Sequence, residues 1–124
     1  MKRIYANIPD RNKLEAVTGI CREQKIELYG IKFSDVNKTL AALCNVPLAV
    51  GANGKAARRT APVLYVLPEM MIFFGLDDKD LDLFLDAYKL TGQERISRKA
   101  VVTTTNLGWT LYELAEELGR EAKR

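Results

Sequence analysis

The chain has 124 residues, 48% of them hydrophobic, and a formal net charge of +3. This length and hydrophobic fraction are typical of one globular domain, which we place at residues 1–124, and they exclude a wholly disordered chain. No apolar run reaches the roughly 20 residues that a membrane-spanning helix needs. The charge excess is smaller than that of dedicated nucleic-acid-binding proteins.

The sequence contains no histidine. This absence excludes Ser-His-Asp and Cys-His nucleophile systems and histidine-ligated zinc or haem. It also removes the usual general base at neutral pH. Carboxylates, lysine, tyrosine or cysteine could still support chemistry, so an enzyme is disfavoured and not excluded. We identify no catalytic residue, metal site or cofactor.

The basic N-terminus, Met1 to Ile4, leads directly into Asn7 and Pro9, so its apolar stretch is too short for a signal peptide. Cys21 and Cys44 are far apart and form no disulfide framework. These features predict a cytoplasmic, reduced protein without membrane association.

The first half, residues 1–45, predicts the order strand, helix, strand, helix. Residues 4–8 predict a strand, and Asp10 is the expected N-cap of the first helix because its carboxylate accepts from free backbone N–H groups. Residues 26–31 predict the second strand, and Ser34 is the expected cap of the second helix. The apolar positions expected to face the core are Leu14, Val17, Thr18 and Cys21 in the first helix and Val36, Leu40, Leu43 and Cys44 in the second.

Gly19 lies inside the first predicted helix, where it costs about 1 kcal/mol relative to alanine. Residues 46–68 lack helical or strand periodicity and predict a flexible basic connection. Residues 63–67 could form an extra strand within this connection, ended by Pro68.

The second half, residues 69–124, repeats the order of the first. Residues 70–74 are uninterruptedly apolar, which predicts a strand buried on both faces. Asp77 is the expected N-cap of the third helix, which Gly92 ends. Ile96 and residues 100–102 predict the fourth strand, and residues 107–121 predict the fourth helix. The apolar face of the third helix is Leu81, Phe84, Leu85 and Tyr88.

The two halves align over both helices. Asp10 corresponds to Asp77, and the Thr39-Leu40 pair corresponds to Thr110-Leu111. We therefore predict an α/β fold in which two similar βαβα halves form one sheet of four or five strands packed with helices. An internal duplication explains this alignment, and so does the similarity of any two amphipathic helices of equal length. The direction of the second strand pair relative to the first stays open.

Residues 69–122 carry a further pattern: Met70 to Leu76, Asp80-Leu81-Asp82, Lys99-Ala100-Val101, Thr103, Thr105-Asn106, Trp109-Thr110, Leu114 and Glu117-Leu118. In these residues the segment resembles a bacterial family known as domain-of-unknown-function family 3783. The resemblance implies a genuine domain type, and it implies no activity, cofactor or catalytic residue.

The best site candidate is the polar segment before the fourth helix. Helix N-termini have unpaired N–H groups and attract anions. The residues expected to bind a phosphate or carboxylate are Lys99, Thr103, Thr104, Thr105, Asn106 and Trp109. The simpler alternative is that Thr105 or Asn106 caps the helix and Trp109 packs on the core.

Lys55, Arg58 and Arg59 form a second candidate, a basic loop that could contact RNA or an acidic partner, although a solvated loop is the favoured explanation. Taken together, the sequence favours a non-enzymatic protein-interaction or regulatory module that binds a protein partner or forms a homodimer. The alternative is a small-anion or nucleotide-binding domain that uses Thr103 to Asn106. Nucleic acid is a less favoured partner.

Overall fold

The computed structural model describes residues 1–47 and 60–122, which form one four-stranded sheet with helices on both faces. The strands are β1 (Arg3–Asn7), β2 (Glu27–Gly30), β3 (Met70–Phe74) and β4 (Lys99–Val101). The helices are α1 (Arg11–Gln24), α2 (Leu40–Leu43), α3 (Asp78–Leu90) and α4 (Leu111–Ala122), and a short 3₁₀ helix covers Phe33–Asp35.

The strand order is β2-β1-β3-β4, so the two halves meet at the middle of the sheet. Within each half the strands are parallel, as expected for a crossover through a helix. β1 and β3 are antiparallel, which settles the relative direction of the two strand pairs.

The sheet separates two apolar cores. Because successive strand residues point to opposite faces, Ile4 and Phe73 pack with α1 and α3, whereas Tyr5 and Ile72 pack with α2 and α4. β3 is buried on both faces, as its uninterrupted apolar run predicts. The result is a three-layer arrangement with the sheet in the middle.

The contacts between the halves are reciprocal. Tyr5 pairs with Ile72 at the centre of the β1–β3 ladder, and Thr39 forms an antiparallel bridge with Thr110. Around that bridge, the N–H groups of Leu40 and Ala41 donate to second-half carbonyls, and those of Leu111 and Tyr112 donate to first-half carbonyls. The four carbonyls belong to Trp109, Leu107, Lys38 and Val36 respectively.

Two ion pairs also join the halves. Lys2 Nζ lies 3.0 Å from Asp80 Oδ1, and Lys13 Nζ lies 3.2 Å from Glu69 Oε1. The same spacing of 67 residues separates Lys2 from Glu69 and Lys13 from Asp80. Equivalent positions are therefore bridged in both halves with the charges exchanged.

Four predicted details differ from the structure. Residues 63–67 form no strand, so the described residues contain four strands and no fifth. Ser34 does not cap α2, which Thr39 caps, and α4 begins at Leu111 instead of residue 107. The buried residues of α1 are Lys13, Val17, Ile20 and Cys21. Leu14 is 40% exposed, so the core-facing side of this helix was predicted with the wrong rotation.

Candidate functional site

The predicted polar segment forms a turn closed on itself. Thr103 N–H donates to Asn106 Oδ1 at 2.8 Å, and Asn106 N–H donates to Thr103 Oγ1 at 3.3 Å. Asn106 Nδ2 also donates to the carbonyl of Val101 at 3.0 Å, which joins the turn to the end of β4. Thr103, Thr104 and Thr105 are all exposed. The structure therefore brings Thr103 and Asn106 together, at a turn and not at a helix end.

The N-terminus of α4 lies at Thr110 and is already satisfied. Thr110 Oγ1 accepts from Glu113 N–H at 3.1 Å, and Glu113 Oε1 accepts from Thr110 N–H at 3.0 Å. The next two N–H groups, those of Leu111 and Tyr112, donate to carbonyls of the first half. The helix N-terminus on which the anion prediction relied therefore lies at Thr110 and not at Thr103 to Asn106.

Lys99 and Trp109, the two ends of the predicted site, lie on different sides of the sheet. Lys99 pairs with Met71, which contributes to the α1–α3 core. Burial, together with the charges of Arg95 and Lys89, lowers the pKa of Lys99. Trp109 packs against the α2–α4 core. The six predicted residues thus do not form one pocket.

The second predicted site, Lys55, Arg58 and Arg59, lies outside the described residues. The part of the connection that is described, residues 60–68, crosses both halves of the molecule. Ala61 N–H donates to Asn37 Oδ1 at 2.8 Å, and Asn7 Nδ2 donates to the carbonyls of Leu67 and Pro68 at 3.1 and 2.9 Å. Side-chain amides of the first half therefore hold both ends of this segment.

Tyr65 anchors the middle of the segment on α4. Its ring packs edge-on against Tyr112 with centroids 4.8 Å apart. Burial raises the pKa of Tyr65 to about 12, the negative charge of Glu116 adds to this shift, and the positive charge of Arg98 opposes it. The Tyr65 hydroxyl and Arg98 Nε are both buried, and neither has a hydrogen-bond partner among the described residues.

Arg98 reaches α4 because position 119 is glycine. A β-carbon at Gly119 would lie 2.6 Å from Arg98 Nη2. Any larger residue would displace the guanidinium and, with it, the surroundings of the Tyr65 hydroxyl. Sequence reasoning missed this cluster because Tyr65, Arg98 and Glu116 are distant in the chain and match no motif.

The neighbours of Tyr65 point away from the protein. Val63, Leu64 and Val66 are 91%, 90% and 82% exposed, and we call these three residues the apolar strip. Leu67 turns inward and packs on the α2–α4 core. The strip is therefore displayed by a segment that is fastened at both ends and in the middle.

The two cysteines belong to the cores on opposite faces of the sheet. Cys21 lies on the buried face of α1, and Cys44 lies at the C-terminal end of α2. Both are free thiols, and burial raises the pKa of Cys21 to about 11. Buried thiols of raised pKa are weak nucleophiles.

Within residues 1–47 and 60–122, no group of three or more Cys, Asp or Glu side chains could hold a metal ion. The helices of this part of the chain are all too short or too polar for a membrane crossing.

Comparison with known proteins finds no match among curated proteins and none among solved structures. One family model does match, and its range begins at Glu69, the residue before β3, so it covers β3, α3, β4 and α4. The resemblance noted in the sequence is thereby confirmed: residues 69–124 match the family described as "Domain of unknown function (DUF3783)".

Proposed function

We propose that the chain is a protein-interaction module and that the apolar strip is its contact surface. The observation that carries this proposal is the exposure of three aliphatic side chains within four residues. Singly exposed apolar residues are ordinary, whereas a contiguous exposed apolar patch marks an interaction site.

The anchoring of the strip supports the same function. Tyr65 and Leu67 point inward on either side of Val66, and the amides of Asn7 and Asn37 hold the flanking backbone. A segment that is already ordered loses little conformational entropy when a partner binds. The apolar strip is therefore suited to binding a partner without first becoming ordered.

Photo-crosslinking from the full chain tests this proposal. A photoreactive phenylalanine analogue at Val66, in the native cells, is expected to give a discrete adduct. The same analogue at Leu90, which is 89% exposed on α3, is expected to give none. The purified adduct partner should bind the wild type and the Leu90→Ser control but not the Leu64→Ser/Val66→Ser double variant. Equal adducts from both positions, or none from Val66, would contradict the proposal.

A second candidate, small-anion binding, is favoured by the charges around Lys99. The positive charges of Lys89 and Arg95 help to lower the pKa of Lys99. Within the described residues, none of these three side chains forms an ion pair. At constant ionic strength, inorganic phosphate is expected to raise the melting temperature of the wild type, and Lys99→Met is expected to remove that shift. The exposed Lys79→Met on α3 is the matched control. A shift that survives in Lys99→Met would exclude this site.

We also propose that the two halves are copies of one βαβα unit. The support is the reciprocal contact set: Tyr5 opposite Ile72, Thr39 opposite Thr110, and ion pairs at equivalent positions. The family match, which covers the second half alone, agrees with a unit of that size. An experimental structure in which β1–α1 fails to superpose on β3–α3 would contradict this proposal.

Finally, we propose a reducing compartment, the cytoplasm, for this chain. Its support is that both thiols are free and lie in separate cores, where they cannot pair with each other. Thiol titration of protein freshly denatured from its native cells should find two reduced cysteines per chain, and a blocked or oxidised cysteine would count against this location.

A further inference from the structure

A shallow open groove of about 430 Å³ runs along the solvent side of α1. Within the described part of the chain, its lining residues all come from this one helix: Arg11, Leu14, Glu15, Thr18, Gly19 and Arg22. They recur at intervals of three and four, so they form one face of the helix. Leu14 is the apolar residue of this face, and it is exposed although its spacing predicted a core position.

Neither packing within the chain nor backbone conformation requires a glycine at position 19 of this groove. A β-carbon at this position would meet no atom within 4 Å, so internal packing does not require a glycine. Its φ angle is not in the left-handed region, so backbone conformation does not require one either. Glycine nevertheless weakens a helix interior relative to alanine. A glycine on an exposed helix face allows a second backbone to approach closely.

The charged residues of the groove can pair with those of the same groove on a second copy of the chain. Glu15 and Arg22 lie two turns apart, and within the described residues neither forms an ion pair. If two α1 helices cross antiparallel at Thr18 and Gly19, Glu15 of each copy lies opposite Arg22 of the other. Arg11 then lies beyond Gln24 of the other helix, near its partly negative C-terminal end. A shift by one turn would instead bring Arg11 opposite Arg22.

The equivalent face of α3 shares only part of this pattern. Asp82 and Lys89 stand where α1 has Glu15 and Arg22, so that charge pair recurs. Asp86 stands where α1 has Gly19, however, and Asp78 stands where α1 has Arg11. An antiparallel crossing of two α3 helices would bring two Asp86 carboxylates together and place Asp78 near a partly negative helix C-terminus. Of the two helices, only α1 combines the charge pair with a glycine at the crossing.

We propose that α1 is the contact helix of a homodimer in which two copies of this groove pack antiparallel. The contact is isologous, so each charge pair occurs twice. A single helix face buries less than the roughly 1,200 Å² of a standard interface, which makes the association weak. This proposal uses a surface separate from the apolar strip and does not rest on it.

Sedimentation equilibrium of the full chain, from roughly ten micromolar to one millimolar, tests the proposal in the range where weak interfaces dissociate. The wild type is expected to show a monomer–dimer equilibrium. Glu15→Arg and Arg22→Glu each place like charges opposite one another twice, and each is expected to weaken the dimer about tenfold. The Glu15→Arg/Arg22→Glu double variant restores both pairs in reverse and should dimerise again. A mixture of the two single variants should form mixed dimers.

Gly19→Gln separates dimerisation from folding. Glutamine favours helix over glycine, so the melting temperature of the dilute monomer should rise while the bulkier side chain blocks the crossing. Glu23→Arg, on the same helix outside the groove, should leave the dimer unchanged. A wild type that is monomeric throughout, a double variant that does not recover, or an equal loss in Glu23→Arg would overturn the proposal. The proposal would also be overturned if the chain formed assemblies larger than a dimer that Arg22→Glu disrupts and Glu15→Arg does not. That result would indicate that α1 of one copy packs on α3 of another.

Discussion

Thr110 and Thr39 occupy equivalent positions at the starts of α4 and α2, yet their surroundings differ. Thr110 is buried and exchanges three hydrogen bonds with Glu113, in the reciprocal arrangement of a capping box. Thr39 accepts one bond, from the N–H of Ala42, in a more exposed place. The second-half cap is therefore expected to carry more of the stability.

Thr110→Ala should lower the free energy of unfolding by about 1–2 kcal/mol, because the Glu113 N–H loses its acceptor and the buried Glu113 carboxylate keeps only its bond from the N–H of residue 110. Thr39→Ala should cost about 0.5–1 kcal/mol. Urea denaturation followed by circular dichroism measures both variants against the wild type. Equal losses at the two positions would show that the Glu113 arm of the cap adds nothing.

Tyr65 gives the molecule an alkaline sensitivity with a defined sign. Burial raises the pKa of its hydroxyl to about 12, compared with about 10 for a free tyrosine. The folded state therefore favours the protonated hydroxyl, and this contribution to stability is complete below about pH 10 and disappears as the pH rises toward 12. In a spectrophotometric titration of the five tyrosines, Tyr65→Phe should remove a component that titrates near pH 12. Loss of a component near pH 10 instead would contradict this assignment.

At the scale of elements, α2 and α4 both begin later than their sequences predict, and for the same reason. The N–H groups of their first residues, Leu40 and Leu111, donate to carbonyls of the opposite half. The segments upstream of the two helices, residues 32–38 and 103–109, supply the carbonyl acceptors of these bonds. They therefore stay outside the helices, and the two helix starts meet at the Thr39–Thr110 bridge. Local sequence suggested Ser34 and Thr105 as the helix caps. The hydrogen bonds that place the helix starts later join distant parts of the chain, so the spacing of neighbouring residues does not reveal them.

The two ion pairs between elements of different halves should differ in strength. Lys13 is buried on α1, and its ammonium contacts both carboxylate oxygens of Glu69, whereas the side chain of Lys2 is 38% exposed and contacts one oxygen of Asp80. Glu69→Gln leaves a buried ammonium uncompensated and should lower the melting temperature by several degrees. Asp80→Asn should lower it less, and added salt should shrink its effect further. Thermal unfolding at two salt concentrations measures both, and a larger loss in Asp80→Asn would be inconsistent with this ranking.

At the scale of the whole molecule, the strands and long helices were predictable, and the arrangement of the candidate sites was not. The apolar run of β3 and the caps Asp10 and Asp77 are local signals, and the structure has all three. The order of the strands and the antiparallel pairing of β1 with β3 depend on contacts between residues 63 to 71 positions apart. Thr103–Asn106 was expected to begin the fourth helix and instead forms a turn. The packing of Tyr65 on α4 has no signal in the local sequence.

The pairing of Tyr5 with Ile72 has a kinetic consequence. Each βαβ unit joins strands separated by one helix, whereas the central ladder can form only when a loop of more than sixty residues closes. Long-range pairing of this kind slows folding, because chain entropy is lost before the contacts compensate for it. We therefore expect each unit to assemble early on its own and their docking along β1 and β3 to limit the rate at which the native protein appears.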